Sequence, residues 1–481
     1  MRKHWVIFIT SLMLSHFLWA QPVYFNNRYD LGNDHVYTCS ASNSIFGVSG
    51  GYIAAAEVDS LCNWGRVGLL KVDSLGNKVF ERKYGTGIHS YGIGIKALLL
   101  SNDNNYLLAG YKDSALILWK FDKNGDTLWT RTYYDTLYYL SSSTCQLTRD
   151  KGIIVVGLAQ EKKTGLRQIL LLKADSSGKQ QWKKIFTSSS NDWGYSVDTC
   201  RDGGYIVGSG WNNAQLTKID SSGKMIWQYN YSSATGLAGG VITTKKGKFV
   251  FISAWGTVHK ETGFFEVSDS GKLLMSNHYN DTGTSTGPST LIELNNGHFL
   301  DVGQVTDGNT VDGSLLLIDS TGNLLWYRNY KKLKAPNSQN YLRDVKSTLD
   351  GGFIASGFCI PSAPDTGKQD VWVIKLDSNG CDSIGHCSSV ITSLPEKLDE
   401  SENVKIYPNP NNGIFTVALQ VETGGTQIEI FDMLGQSIYK RELHSAYKSI
   451  NITSQPPGIY LYRVISGNLN LISSGKFIIQ K

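Results

Sequence analysis

The sequence predicts an all-β protein: a seven-bladed β-propeller followed by a small Ig-like β-sandwich. Three observations carry this reading. A pattern, Lys-x-Asp-x-x-Gly-x-x-x-Trp-x-x-x-Tyr, recurs at intervals of about fifty residues; β-rich runs bounded by Gly, Asp and Asn precede each copy; and the pattern gives way near the C-terminus to alternating apolar runs of another kind. The composition agrees. With 50 Gly, 12 Trp, 25 Tyr and 17 Phe in 481 residues, and 18% charged residues, the chain is rich in turn formers and aromatics. Average charge is about 25%. At this length a single non-repetitive core is not expected. The formal net charge of +5 is spread thinly rather than gathered into a basic stripe, which argues against nucleic acid as a partner.

Residues 1–20 have a basic start (Arg2, Lys3), an interrupted apolar run from Trp5 to Leu18 and a small residue, Ala20, at the end. This is the pattern of a cleaved signal peptide, too short and too broken for a comfortable membrane helix. Export makes disulfides available to the seven cysteines, Cys39, Cys62, Cys145, Cys200, Cys359, Cys381 and Cys387. Cys381 and Cys387, flanking a five-residue loop, form the expected local pair. His386 between them does not make a zinc site, because no second ligand pair stands at metal spacing.

The propeller is expected over residues 21–390. Clear copies of the pattern begin at Lys71, Lys120, Lys173 and Lys218, weaker ones at Glu266 and Leu317, and a truncated one at Lys375. The turn glycines Gly76, Gly125, Gly178, Gly223, Gly271, Gly322 and Gly380 are spaced by 49, 53, 45, 48, 51 and 58 residues, a blade period. One unit, from Gly194 to Tyr231, reads as four strands: A (YSVDT), B (GYIVGS), C (QLTKID) and D (KMIWQY). Four strands repeated seven times is a seven-bladed propeller. The seventh copy lacks its D strand, and residues 22–30 supply a candidate at the other end of the chain. Pairing these two segments closes the ring and removes exposed sheet edges.

Within the pattern, the Asp is expected to accept a hydrogen bond from the backbone two residues on, and the Gly to take a positive φ in the C-to-D hairpin. Trp129, Trp182, Trp227 and Trp326, with Phe80 and Met275 in their place elsewhere, are expected on strand D between blades. Asp122, Asn124 and Asp126 lack the further ligands of a calcium loop. The hairpin resembles the tryptophan-docking repeat of pyrroloquinoline-quinone-type propellers, but those enzymes carry adjacent paired cysteines and no Cys-Cys occurs here. No quinone, other cofactor or metal is expected. Gly47 to Gly51 fits G-x-S-x-G, but the motif needs a strand-to-helix elbow. The region is strand-built, so the segment reads as a turn. No catalytic set can be assembled, and enzymatic activity stays open, with a non-enzymatic role favoured.

Alternating strand direction places the short A-to-B and C-to-D turns on one face and the variable B-to-C and D-to-A loops on the other. Trp64, Trp193, Trp211 and Trp255, which lie outside the repeat positions, map to the variable face together with His89, Tyr91, Tyr138 and Tyr139. An aromatic face of this kind suits stacking on sugars or anchoring a protein. The leading expectation is a surface or secreted propeller that binds a glycan, polymer or protein. The alternatives are an extracellular polysaccharide- or peptide-degrading enzyme working at the channel mouth, and a structural surface-layer component.

A polar linker is expected at residues 391–403 and a final domain at 404–481, built of about seven strands. Its blocks are Tyr407-Pro408-Asn409-Pro410 with Gly413, Asp432-Met433-Leu434-Gly435, Pro457-Gly458-Ile459-Tyr460 with Arg463, and Lys476-Phe477-Ile478. In this order they resemble the type A C-terminal sorting domain of type IX secretion in Bacteroidetes-type bacteria. The resemblance implies passage through the periplasm and across the outer membrane, recognition by the translocon, and removal by a sorting-domain peptidase in the linker. It further implies a cargo either released or attached to surface lipopolysaccharide.

Overall fold

The structure, a computed structural model, describes residues 24–31, 44–48, 50–58, 65–86, 89–187, 190–210, 213–255, 261–279, 285–383, 404–419, 426–432, 436–443, 445, 447–465 and 471–480. The expected signal peptide and linker lie outside them. The chain divides into two compact units, residues 1–392 and 393–481. Every described regular element is a strand, and no described helix is long and apolar enough to cross a membrane.

The first unit is the seven-bladed propeller. Blades 1 to 5 are four-stranded antiparallel sheets, and blades 6 and 7 are joined into one larger sheet by a single parallel bridge, Val311 to Gln339. The unit read from the sequence as four strands comprises Gly194–Thr199, Tyr205–Gly210, Asn213–Ile219 and Met225–Thr235. The ring closes as expected. Phe25–Tyr29 pairs antiparallel with Asp370–Leu376, from Phe25 opposite Lys375 to Tyr29 opposite Val371, and so becomes strand D of blade 7. The apolar core lies between blades. Phe25, Tyr29 and Val373 of blade 7, for instance, pack on Tyr52, Ala54 and Leu70 of blade 1.

The repeat residues hold this ring through its C-to-D turns. In blade 3, Asp175 Oδ1 accepts from the backbone N–H groups of Ser177 and Lys179, while Gly178 takes φ 80°. The same pair of bonds recurs at Asp73, Asp122, Asp220, Asp319 and Asp377. Asp122 is thereby committed to the backbone. In blade 5, Ser268 stands in, its Oγ accepting from Lys272. Each turn then docks on the preceding blade. A Cβ at Gly178 would come within 2.9 Å of the Trp129 ring, and one at Gly380 within 2.8 Å of Trp326. Trp227 Nε1 donates to the Asp269 carbonyl at 2.9 Å. The Trp and the Gly of the repeat are thus partners across a blade boundary.

The tyrosine that closes the pattern completes the dock. The hydroxyls of Tyr29, Tyr84, Tyr133, Tyr231, Tyr279 and Tyr330 donate to the carbonyls of Gly76, Gly125, Gly178, Gly271, Gly322 and Gly380, each on the next blade. Blade 3 differs, having Phe186 there. Buried lysines brace the same face. Lys173 and Lys375 reach the A-to-B turn carboxylates of Asp150 and Asp350, both at 2.8 Å, and Lys218 reaches Asp202 at 2.9 Å.

Gly47 and Val48 end a strand, and Gly51, opposite Val48, begins the next, so the G-x-S-x-G segment spans a hairpin. Cys145, Cys200 and Cys359 are free and buried, and burial pushes the Cys145 and Cys200 thiols up to about 12. Cys381 is disulfide-bonded, while its expected partner, Cys387, lies outside the described residues.

The second unit is the β-sandwich. One sheet holds Val404–Tyr407, Ile414–Leu419 and Tyr447–Asn451; the other holds Thr426–Phe431, Ser437–Leu443, Gly458–Ile465 and Leu471–Ile479. Phe415, Tyr460 and Phe477 meet in its core, with the Phe415 and Phe477 rings 4.6 Å apart.

Candidate functional site

The channel of the propeller holds a cavity of about 520 Å³, within the range of small-ligand sites. Its lining draws on the first halves of strands A and the last residues of strands B. That places it toward the variable end of the channel, where the B-to-C and D-to-A connections meet. Glu57, Lys96, Tyr111, Trp193, Tyr195 and Arg343 are its chemically distinctive members, among the hydroxyls of Ser141 to Ser143, Ser196 and Ser289.

Lys96 owes its position to an irregular strand. In Tyr91–Leu100, Ile93 pairs with Gly110 and Leu98 with Leu108, so four residues, Gly94 to Ala97, stand opposite one, Ala109. The corresponding irregularities in other blades, such as that between Ser142 and Thr144, are shorter. A bulge of this size pushes backbone out of the sheet. Gly94 is required there, since a Cβ would overlap the Ser143 carbonyl of blade 3. Lys96 itself has φ 54°, a left-handed conformation costly for a side chain with a Cβ.

Arg343 lies on strand A of blade 7, Gln339–Ser347. Its Nη1 donates to Gln304 Oε1 at 2.9 Å, and its guanidinium stacks on Tyr341 and Phe358, 5.0 and 5.5 Å from the ring centroids. Burial lowers its pKa, with Tyr341 opposing, but a guanidinium stays charged. Lys346, further along the strand, pairs with buried Asp344 at 2.6 Å. Burial depresses the Lys346 amine, Asp344 opposes this, and the charge of Lys96 adds to it. Glu57 is buried, and desolvation pushes its carboxyl up to about 8. It is therefore mostly protonated at neutral pH.

Trp193 precedes strand A of blade 4. Its Nε1 donates to Ser143 Oγ at 2.8 Å, and its ring lies 5.0 Å from that of Tyr195 with the planes tilted by 31°. The Trp193 N–H and the Gly210 N–H both donate to Asp192 Oδ1, which fixes the backbone entering the strand. Arg167 lies 5.8 Å from the indole centroid.

Of the aromatic set predicted for the variable face, the structure places Trp193 in the cavity. Tyr91 is buried between blades 1 and 2, with Lys112 5.8 Å from its ring centroid. His89 bonds through Nδ1 to Asp113 Oδ2 at 2.7 Å beside that junction. Tyr139 is exposed under Lys162, whereas Tyr138 packs against the core between blades 2 and 3. Trp64 and Trp211 lie outside the described residues, and Trp255 ends a strand without a described side chain. Sequence reasoning passed over Glu57, Lys96, Tyr111, Tyr195 and Arg343. For Glu57 and Lys96 the signal was a charged residue inside an apolar strand, in GYIAAAEV and YGIGIKALLL; Tyr111, Tyr195 and Arg343 offered none.

In the second unit the first block clasps the last strand. Asn409 Oδ1 accepts from the Ile478 N–H at 2.9 Å, Asn411 N–H donates to the Ile478 carbonyl at 2.9 Å, and Gln480 N–H donates to the Asn411 carbonyl at 2.7 Å. Tyr407, Pro408 and Pro410 are exposed around this clasp, and Lys476 is exposed on the strand it holds. Gly413 takes φ 97°, its carbonyl accepting from Ile452. Tyr460 donates to the Pro456 carbonyl beside Gly458, and Arg463 reaches Glu429 at 2.7 Å. Gly435 lies outside the described residues.

Residues 405–480 match the family of secretion system C-terminal sorting domains. The protein is a type IX secretion cargo. Its sorting domain implies interaction with the secretion machinery and export to the cell surface or beyond. No curated protein matches the chain by sequence. Among solved structures, it is similar to a protein of unknown function from Bacteroides caccae, with 15% identity over 61% of this chain and 95% of that one, at a TM-score of 0.39. It is also similar to PorZ, a surface component of the type IX secretion system of Porphyromonas gingivalis, with 12% identity, 96% and 61% coverage, and a TM-score of 0.41. The cargo thus spans 61% of that chain. The WD40 domain of Neurospora crassa Pan2 aligns at 9% identity over 70% of this chain and 88% of that one, with a TM-score of 0.44.

Proposed function

We propose that this cargo is a non-enzymatic binding protein of the cell exterior, which captures a glycan in the channel pocket of its propeller. The observation that carries the reading is the pocket itself: about 520 Å³, with an aromatic pair, Trp193 and Tyr195, beside a run of serine hydroxyls. Aromatic faces stack on the C–H faces of sugars, while hydroxyls and buried charges fix orientation. The sorting domain delivers the protein, is recognised by the translocon and is removed in the linker by the sorting-domain peptidase. The propeller is left released or attached to lipopolysaccharide.

Two experiments test this. Deleting Val404 to Lys481 is expected to hold the protein in the periplasm; undiminished surface or extracellular protein would overturn the sorting role. On a glycan array the full-length protein is expected to bind a defined set of oligosaccharides, with loss of binding in Trp193→Ala at unchanged thermal stability. An array without a binder overturns the glycan reading.

A further inference from the structure

The channel pocket carries an excess of positive charge. Asp344 neutralises Lys346, which leaves Lys96 and Arg343 on the cavity wall. Neither has a carboxylate partner among the described residues. Both are half-buried; partly desolvated cations without counter-charges are costly, and proteins retain them where a ligand supplies the charge. The single carboxylate among the described lining residues, Glu57, is held mostly neutral by its burial and cancels little of this excess.

The two cations are also held in place at a cost. Lys96 sits in a left-handed conformation on a bulge that needs Gly94 beneath it. The Arg343 guanidinium is oriented by Gln304 on one edge and by two aromatic rings beside it, and among the described residues its other N–H groups have no hydrogen-bond partner, which leaves them for a planar or tetrahedral anion. Backbone strain of this sort collects at functional sites. Packing alone does not call for it, since shorter irregularities serve the same strand in neighbouring blades.

We propose that the pocket takes an anionic sugar residue, its acidic substituent held by Arg343 and Lys96 and its ring stacked at Trp193 beside Tyr195. This rests on the glycan reading above and narrows it. A sugar is favoured over an acidic peptide by the aromatic pair and the serine hydroxyls, which match a ring with hydroxyl groups better than an extended backbone. The acidic substituent is a carboxylate or a sulfate, both of which suit a guanidinium fork.

The test is titration of the full-length protein with three sets of oligosaccharides matched in linkage: uronate-containing, sulfated, and neutral, the last made by carboxyl reduction or desulfation. An anionic set is expected to bind at least about tenfold more tightly than its neutral counterpart. Arg343→Gln and Lys96→Gln are each expected to erase that preference, and Lys123→Gln, on an exposed turn of blade 2, to leave it unchanged. Arg343→Lys, which keeps the charge but loses the fork, is expected to retain part of it. Should Arg343→Gln fail to fold, Lys96→Gln decides. Preference for the uronate or the sulfated set identifies the substituent. Equal binding of charged and neutral sets overturns this proposal and leaves the glycan reading standing. Binding of acidic peptides but of no oligosaccharide overturns both.

Discussion

The two ends of the propeller are built from the same strands and obey different rules. On the turn face the blades repeat. The D-strand position that latches to the next blade is Tyr29, Tyr84, Tyr133, Phe186, Tyr231, Tyr279 and Tyr330, six hydroxyls out of seven performing one task. At the channel end, the position five residues beyond the first aromatic or apolar residue of strand B is Glu57, Tyr111, Leu158, Gly210, Ala254, Gln304 and Phe358. No two blades agree. Equivalent backbone positions demand equivalent packing only where the neighbour is also equivalent. Each turn meets the same docking surface on the preceding blade, whereas at the channel end Glu57, Tyr111 and Leu158 line one shared cavity and their counterparts in the other blades do not.

The strongest way to break the repeating end is to open it. Removing Phe25–Tyr29 deletes strand D of blade 7, the Tyr29 latch and the blade 7 side of the closing core. It exposes the Asp370–Leu376 edge to other chains. The expected result is loss of a single cooperative unfolding transition and accumulation of aggregates, read by chemical denaturation and light scattering. A soluble variant with an unchanged transition would show that the blades hold together without closure.

The turn face was legible in the sequence because its determinants are local. Asp, Gly, Trp and Tyr recur at fixed offsets within one hairpin, and the half-blade left over at each end announces the closing strand. The pocket was not legible, because Lys96 and Arg343 are 247 positions apart and share a wall only once the ring has formed. Aromatic residues outside the repeat were a weaker guide. Trp193 reached the cavity, but Tyr91 went into a blade boundary and His89 beside it. A charge within an apolar innermost strand was the better signal, since burial there requires either a partner in the protein or one brought from outside.

The channel end should therefore trade stability for binding, and Glu57 measures the exchange. Its pKa is about 8 in the folded protein, raised by burial, against about 4.3 in an unfolded chain. Between those values the unfolded state releases the proton while the folded state keeps it. Stability from this group is thus fully present below about pH 4 and falls as pH rises toward 8. Glu57→Leu, which installs the residue of blade 3, lacks this slope. Its stability advantage is expected to grow across that window and then level off, reaching on the order of 5 kcal/mol in urea denaturation. A constant difference from pH 5 to 8 would show that the carboxyl ionises freely.

The smallest effects return to the latches and ask whether repetition is additive. Tyr133→Phe and Tyr231→Phe each remove a hydroxyl that donates to a carbonyl across a blade boundary, and each is expected to cost about 1 kcal/mol, the usual worth of such a bond. Phe186 offers the reverse experiment. It precedes the Gly223 turn as Tyr133 precedes Gly178, and Gly223 packs on Trp182 as Gly178 packs on Trp129. Phe186→Tyr is therefore expected to supply the missing latch to the Gly223 carbonyl and to stabilise the ring by about 0.5 kcal/mol, the low end of what such a bond contributes. If Phe186→Tyr gained nothing while the two deletions cost what is expected, the boundary between blades 3 and 4 would not share the geometry of its neighbours. That boundary also carries Trp193, which bonds Ser143 across it, so the departure would put the break in the latch series at the same blade boundary as the pocket's indole.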